Sequence, residues 1–160
     1  DASKAPGWWA AENMNPDTSS QNPDTASKMP TARRVIAQGT KDKPTGDCFV
    51  MYSYFANNTQ DPREILSQIT APSDSSTPGA FTLKLENTTD HSMKVSNNDT
   101  SFQLYQYDKV APDTSNMSTG EAYAVIKAGT GYIEIRGVCK TADQLSVVVP
   151  VLSDVSFKEN

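Results

Sequence analysis

Apolar and polar residues alternate most cleanly over residues 132–139. Ile133, Ile135 and Cys139 fall on one side of that stretch, and Tyr132, Glu134 and Arg136 on the other. Period two with β-branched residues predicts a half-buried strand. Glu121–Lys127 reads as another strand just before it. Between them Ala128–Gly131 carries two glycines, which supply the positive φ angles of a tight turn. Residues 121–139 are therefore predicted to form a β-hairpin. The period then changes. Thr141 and Gln144 match a capping box, and Asp143 suits the positive end of a helix. Leu145, Val148, Val149, Leu152 and Val155 recur at helical spacing. Pro150 opposes that reading, because inside a helix it removes a hydrogen bond and clashes with the preceding turn at about 3 kcal/mol. The spacing predicts a helix to about Ser153, kinked at Pro150. The alternative is a stop near Val149 and a last strand over 151–157.

Earlier in the chain, Arg33–Gln38 and Asp47–Phe55 read as strands. In the second, Cys48, Val50, Tyr52 and Tyr54 share one face, and Phe49, Met51 and Phe55 the other. Apolar residues on both faces predict a central strand covered on each side. Tyr52 and Tyr54 are also candidates for an aromatic binding surface, with core packing the favoured reading. Asp61-Pro62-Arg63-Glu64 combines a cap residue, a proline at the first helical position and a glutamate three places on. Ile65, Leu66 and Ile69 then give a short helix. Phe81–Leu85 alternates as a strand, Asn87–Asp90 reads as a turn, and Ser92–Val95 as its hairpin partner. Asn97–Asp99 reads as a further turn before a strand over Ser101–Tyr107. The pattern predicts an α+β domain: a single, mostly antiparallel sheet of five to seven strands with two helices packed on it.

Residues 1–32 differ from the remainder, and the domain is placed at 33–160. Asn15-Pro16-Asp17-Thr18 is echoed by Asn22-Pro23-Asp24-Thr25, and these are turn signals in a polar, Pro- and Ser/Thr-rich setting. The segment reads as a stalk, or as a surface loop packed on the domain through Trp8 and Trp9. Two exposed indoles are unfavourable in isolation, so Trp8 and Trp9 join Tyr52 and Tyr54 as candidates for a binding surface.

The 160 residues suit one domain. A net charge of −5 argues against nucleic-acid partners, which need basic patches, and against anionic membrane surfaces. No run is long and apolar enough to span a bilayer. The chain opens on Asp1, so a signal peptide or membrane anchor is expected to precede it. Cys48 and Cys139 lie at strand edges; a disulfide between them is the favoured reading, and two buried free thiols the alternative.

Catalytic chemistry finds little footing. The one histidine, His91, falls in a stretch read as a polar turn, and no serine sits in a GxSxG elbow. Asp47, Glu64, Glu121 and Glu134 are candidate carboxylates, but no spacing pairs two of them. With two cysteines outside any CxxC and one histidine, no metal site is expected, nor is any cofactor. The polar stalk, compact head and single disulfide resemble exported bacterial envelope proteins such as minor pilin-like subunits and surface lipoproteins. Residues 141–157, TADQLSVVVPVLSDVSF, resemble the last helix of the PsbP-like group. The resemblance implies an exported, extracellular or cell-surface domain, anchored through the segment before Asp1, that binds or assembles with a protein partner without catalysing a reaction. An inhibitor or immunity-type protein with an acidic face, and a carboxylate-based hydrolase, are the alternatives.

Overall fold

The structure, a computed structural model, describes residues 7–14, 30–39, 44–70, 82–110, 118–154 and 156–157. Its strands are β1 (Trp8–Met14), β2 (Ala32–Gly39), β3 (Pro44–Phe55), β4 (Thr82–Val95), β5 (Asn98–Val110), β6 (Ser118–Ala128), β7 (Gly131–Cys139) and β8 (Ser156–Phe157). The helices are α1 (Pro62–Thr70), a 3₁₀ turn over Ala142–Val147, and α2 (Val149–Asp154). The strands form one 8-stranded sheet in the order β1-β2-β3-β7-β6-β5-β4-β8. Every neighbouring pair is antiparallel except β4 with β8, so the sheet is mixed, and it curls into a half-barrel.

This corrects the α+β expectation of five to seven strands: the described residues are mostly sheet, with eight strands and only short helices among them. Three local misreadings account for the difference: Trp8–Met14 and Ser156–Phe157 are strands where the favoured reading placed none, and the strands predicted over 81–85 and 92–95 are one, β4. Trp8–Met14 is an edge strand paired with β2, although a single row of partners leaves little periodic signal in its sequence. Asn87–Asp90 does not turn. It is the middle of β4, which continues past a bulge between Leu85 and Asn87. Its residues are polar because that strand lies at the rim of the sheet and is solvated. The turn comes at Ser96 and Asn97, both with positive φ (47° and 69°), as a two-residue hairpin loop requires.

Where period two is strong, the strands form as the pattern predicts. In the 121–139 hairpin Ala128 pairs with Gly131 and Tyr123 with Arg136. The inner face of the sheet carries the main core: Ile36, Cys48, Val50, Tyr52, Tyr54, Ala122, Ala124, Ile126, Ile133, Ile135 and Cys139 are all buried. Gly120, Ala122 and Ala124 keep β6 thin on that face, which lets the 3₁₀ turn approach. A Cβ at Gly120 would collide with the Thr141 carbonyl, and one at Gly137 would press on Val148. Leu145, Val148, Val151 and Leu152 fill the space so made. Pro150 sits in the first turn of α2, where its missing N–H costs little, and the chain breaks from 3₁₀ to α geometry at Val148. Gln144 folds back as the capping pattern predicts, its Oε1 accepting from the Thr141 N–H at 3.2 Å.

Among the described residues, α1 covers one end of the outer face. Ile65 of α1 packs there on Phe55, Tyr132 and Val125, with the Phe55 and Tyr132 rings stacked 4.7 Å apart. Helix α1 begins as its sequence directs, with Asp61 Oδ1 accepting from the Arg63 N–H at 2.8 Å. Beyond β6 the β4–β5 hairpin runs on as a two-stranded arm, since β5 pairs with β6 only over Tyr105–Val110. Met93, Val95, Phe102 and Leu104 of the arm turn into the core, and β8 pairs with its tip, beside the Ser96–Asn97 turn.

Candidate functional site

Cys48 and Cys139 form a disulfide and stand directly opposite each other on β3 and β7. A loop of 91 residues is closed by a bond between adjacent strands at the centre of the sheet. Among the described residues no helix is long and apolar enough to cross a membrane.

The four candidate carboxylates part company. Glu121, 2% exposed on the outer face of β6, is held by three strands. Arg136 of β7 donates to it through Nε (3.1 Å) and Nη2 (3.4 Å), Tyr123 Oη donates at 2.8 Å, and Lys109 of β5 lies at 3.5 Å. Burial and the neighbouring carboxylate push the Tyr123 phenol up, while the same carboxylate holds the Arg136 guanidinium in its charged form. Glu134 shares the outer face with Arg136 but makes no such bond. Burial raises its carboxyl above the usual range, and the charges of Arg136 and Arg33 pull the other way. Arg33 Nε donates instead to the buried Ser53 hydroxyl at 3.4 Å. Asp47 forms an ion pair with Lys140 and accepts from Gln144 Nε2 at 3.3 Å, and its carboxyl is lowered, first by the Lys140 hydrogen bond. Glu64 is exposed in the first turn of α1. Glu121 and Glu134 lie on neighbouring strands with the Arg136 row between them, so the fold sets a cation, not a substrate-sized gap, between those two carboxylates.

His91 lies in strand β4, not in a turn. Its Nε2 is 2.8 Å from Thr89 Oγ1, and its ring packs 5.8 Å from that of Phe102. Among the described residues no group of three or more His, Cys, Asp or Glu could hold a metal ion.

The aromatic candidates are dispersed. Tyr52 and Tyr54 belong to the inner-face core, Tyr54 against the ring of Phe157 at 4.7 Å, so neither offers a ring face at the surface. Trp8 is half-buried against the same core, and Trp9, on the opposite side of β1, has its Nε1 buried without a hydrogen-bond partner. The remainder of the stalk segment lies outside the described residues.

Two surface features lie on the β4–β5 hairpin. A cleft of about 500 Å³ opens between the hairpin and the 3₁₀ turn, lined by Glu86, Asn87, Gln106, Asp108, Thr141 and Asp143 among others. The second is the rim itself. β8 pairs with β4 only at Lys94 and Val95, and among the described residues no strand pairs with the outer side of Thr82–Met93. Leu85 on that stretch is 52% exposed. Sequence reasoning missed this edge because it divided β4 at Asn87–Asp90. It missed the Glu121 cluster because three strands contribute to it. No protein-family model matches the chain, and no curated protein matches it.

Proposed function

We propose that the chain is an exported domain that assembles with another protein without catalysing a reaction, and that it does so by accepting an extended segment of the partner along β4. The observation that carries this reading is the outer edge of Thr82–Met93, with which no strand pairs among the described residues. A long row of backbone N–H and C=O groups at a sheet rim is a template for strand addition, in which main-chain hydrogen bonds give affinity and alternate side chains give specificity. Lys84, Glu86, Asp90 and Lys94 along the strand discourage indiscriminate edge pairing and favour a partner with matching charges. Export is supported by the disulfide, which persists in oxidising compartments, and agrees with the resemblance in layout to envelope proteins.

The test uses a photo-crosslinking residue at Thr88 in cells that produce the full-length protein. A single discrete adduct, absent when the probe stands at Glu64 on α1, is expected, together with slowed amide exchange across β4 in the purified complex. Equal adducts from both positions, or unchanged exchange in β4, would sink the edge-pairing reading.

The cleft lined by Glu86, Asp108 and Asp143 favours a second reading, an inhibitor whose acidic face enters a basic site on its target. Such binding would weaken steeply as salt rises, whereas strand addition would not.

A further inference from the structure

The cleft between the β4–β5 hairpin and the 3₁₀ turn reaches the rim of the sheet. Gln106 and Asp108 follow Leu104 at period two along β5 and so share the inner face with it, and Asn87 of β4 stands directly opposite Gln106. The bulge between Leu85 and Asn87 leaves Glu86 without a partner on β5. Neighbours in a regular strand point to opposite faces, yet Glu86 and Asn87 both line the cleft. A bulge re-aims a side chain in this way. Thr141 and Asp143, at the start of the 3₁₀ turn, form the facing wall. The β4 wall belongs to the stretch whose outer edge pairs with no strand among the described residues, so the cleft opens beside the place where a strand would add.

The lining is rich in acceptors. Glu86, Asp108 and Asp143 supply carboxylates, and Asn87 and Gln106 supply amide oxygens. Asp108 Oδ1 is sealed from solvent without a hydrogen-bond partner. Such an acceptor is uncommon in folded proteins and calls for a donor. Lys84 stands directly opposite Asp108, but its Nζ goes to Glu86 Oε1 at 3.0 Å, and its side chain is 71% exposed. Among the described residues no such group is placed to hold a metal ion, so the matching cation is an organic one with donors spread over a wider span.

We infer, on the basis of the strand-addition reading, that the strand added to β4 carries an arginine whose side chain enters this cleft. Neighbouring strands lie about 4.8 Å apart, and Asp108 is on the second strand in from the added one. A long stem with a charged head crosses β4 to reach it. A guanidinium presents five N–H donors in a plane and keeps its charge, which suits several carboxylate and amide oxygens at once. Lysine offers three donors about a more strongly hydrated point, so arginine is the better match. Side chains of an added strand face the two sides alternately, so this arginine takes an inward position beside Asn87 and fixes the register of the partner.

The experiment pans phage-displayed random dodecapeptides on the full chain and measures the recovered peptides by calorimetry and amide exchange. Recovered peptides are expected to slow exchange across β4, to bind one per chain and to share an arginine at one position among alternating apolar residues. Replacing that arginine by glutamine should weaken binding about thirtyfold, and by lysine about fivefold. Asp108→Asn should weaken the arginine peptide about tenfold and leave the glutamine peptide unchanged. Asp143→Asn should act in the same direction, about fivefold. Asp143 is exposed, and Ser146 bonds its backbone carbonyl, not its carboxylate, so this variant keeps the fold whatever Asp108→Asn does. Peptides that slow exchange in β4 but share no basic residue, or an arginine peptide indifferent to Asp143→Asn and to a folded Asp108→Asn, would overturn the arginine assignment and leave edge pairing standing. Recovery of no peptide that slows exchange in β4 would overturn both.

Discussion

Two carboxylates on the outer face, Glu121 and Glu134, show how one strand position changes the fate of a charge. Glu121 meets Arg136, Tyr123 and Lys109 together. Glu134 is half-buried beside Arg136 and Arg33 with no bond to either, and its partial burial raises its carboxyl. A carboxyl raised by folding binds its proton more tightly in the native state than in the unfolded one. The native protein therefore loses stability as pH rises through the unfolded value toward the raised one, and above the raised value the loss is complete. Glu134→Gln should melt higher than wild type at pH 7, and the advantage should vanish below pH 4. Melting curves of both proteins from pH 3 to 8 check this; an advantage independent of pH would refute it. Part of this cluster was legible in the sequence. Glu121 and Tyr123 stand two apart in a predicted strand, and a hairpin closed at Ala128 and Gly131 places Tyr123 opposite Arg136 by register alone. Lys109 was not legible, because its strand pairs with β6 across a connection whose length sets no register.

At the scale of elements, local chemistry predicted starts and turns better than extents. Asp61 and Pro62 begin α1, Gln144 caps the 3₁₀ turn, and residues 128–131 close the hairpin, each through contacts within a few residues. The hairpin also carries a constraint that its sequence does not announce. Gly131 lies so close to the Phe55 carbonyl at the end of β3 that a Cβ there would overlap it. Gly131→Ala should therefore cost at least about 2–3 kcal/mol, as overpacking against backbone does. Gly129→Ala, at a positive φ of 54° in the exposed turn, should cost about 1 kcal/mol. Urea unfolding of the two variants checks the order, and a smaller loss at Gly131 would contradict the close approach. The β4 misreading has the opposite cause. A strand at a rim is solvated on its edge and its outer face, so its polar residues resemble those of a turn, and only its pairing with β5 shows that it is extended.

For the whole molecule, the central junction is β3 against β7, which joins the first three strands to the β4–β7 meander. The disulfide spans that junction. Closing a loop of 91 residues in the unfolded chain corresponds to about 4–5 kcal/mol of stabilisation. A Cys48→Ala, Cys139→Ala variant should lose about that much, and so should reduced wild type, as measured by urea unfolding with and without reductant. Agreement between reduced wild type and the double variant is expected, whereas a loss below 1 kcal/mol would show that strand pairing alone sets the junction. The sequence by itself determined the period-two strands at the centre of the sheet, the two helix starts and the pair of cysteines, because alternation and capping act over a few residues. Only the tertiary structure decided that Trp8–Met14 joins the sheet, that Asn87–Asp90 stays extended, that Cys48 faces Cys139 and that Arg34 faces Tyr52. Each of these rests on pairing between segments distant in the chain, and the free energy of such pairing comes from the burial and backbone hydrogen bonds of both partners, which neither segment encodes alone.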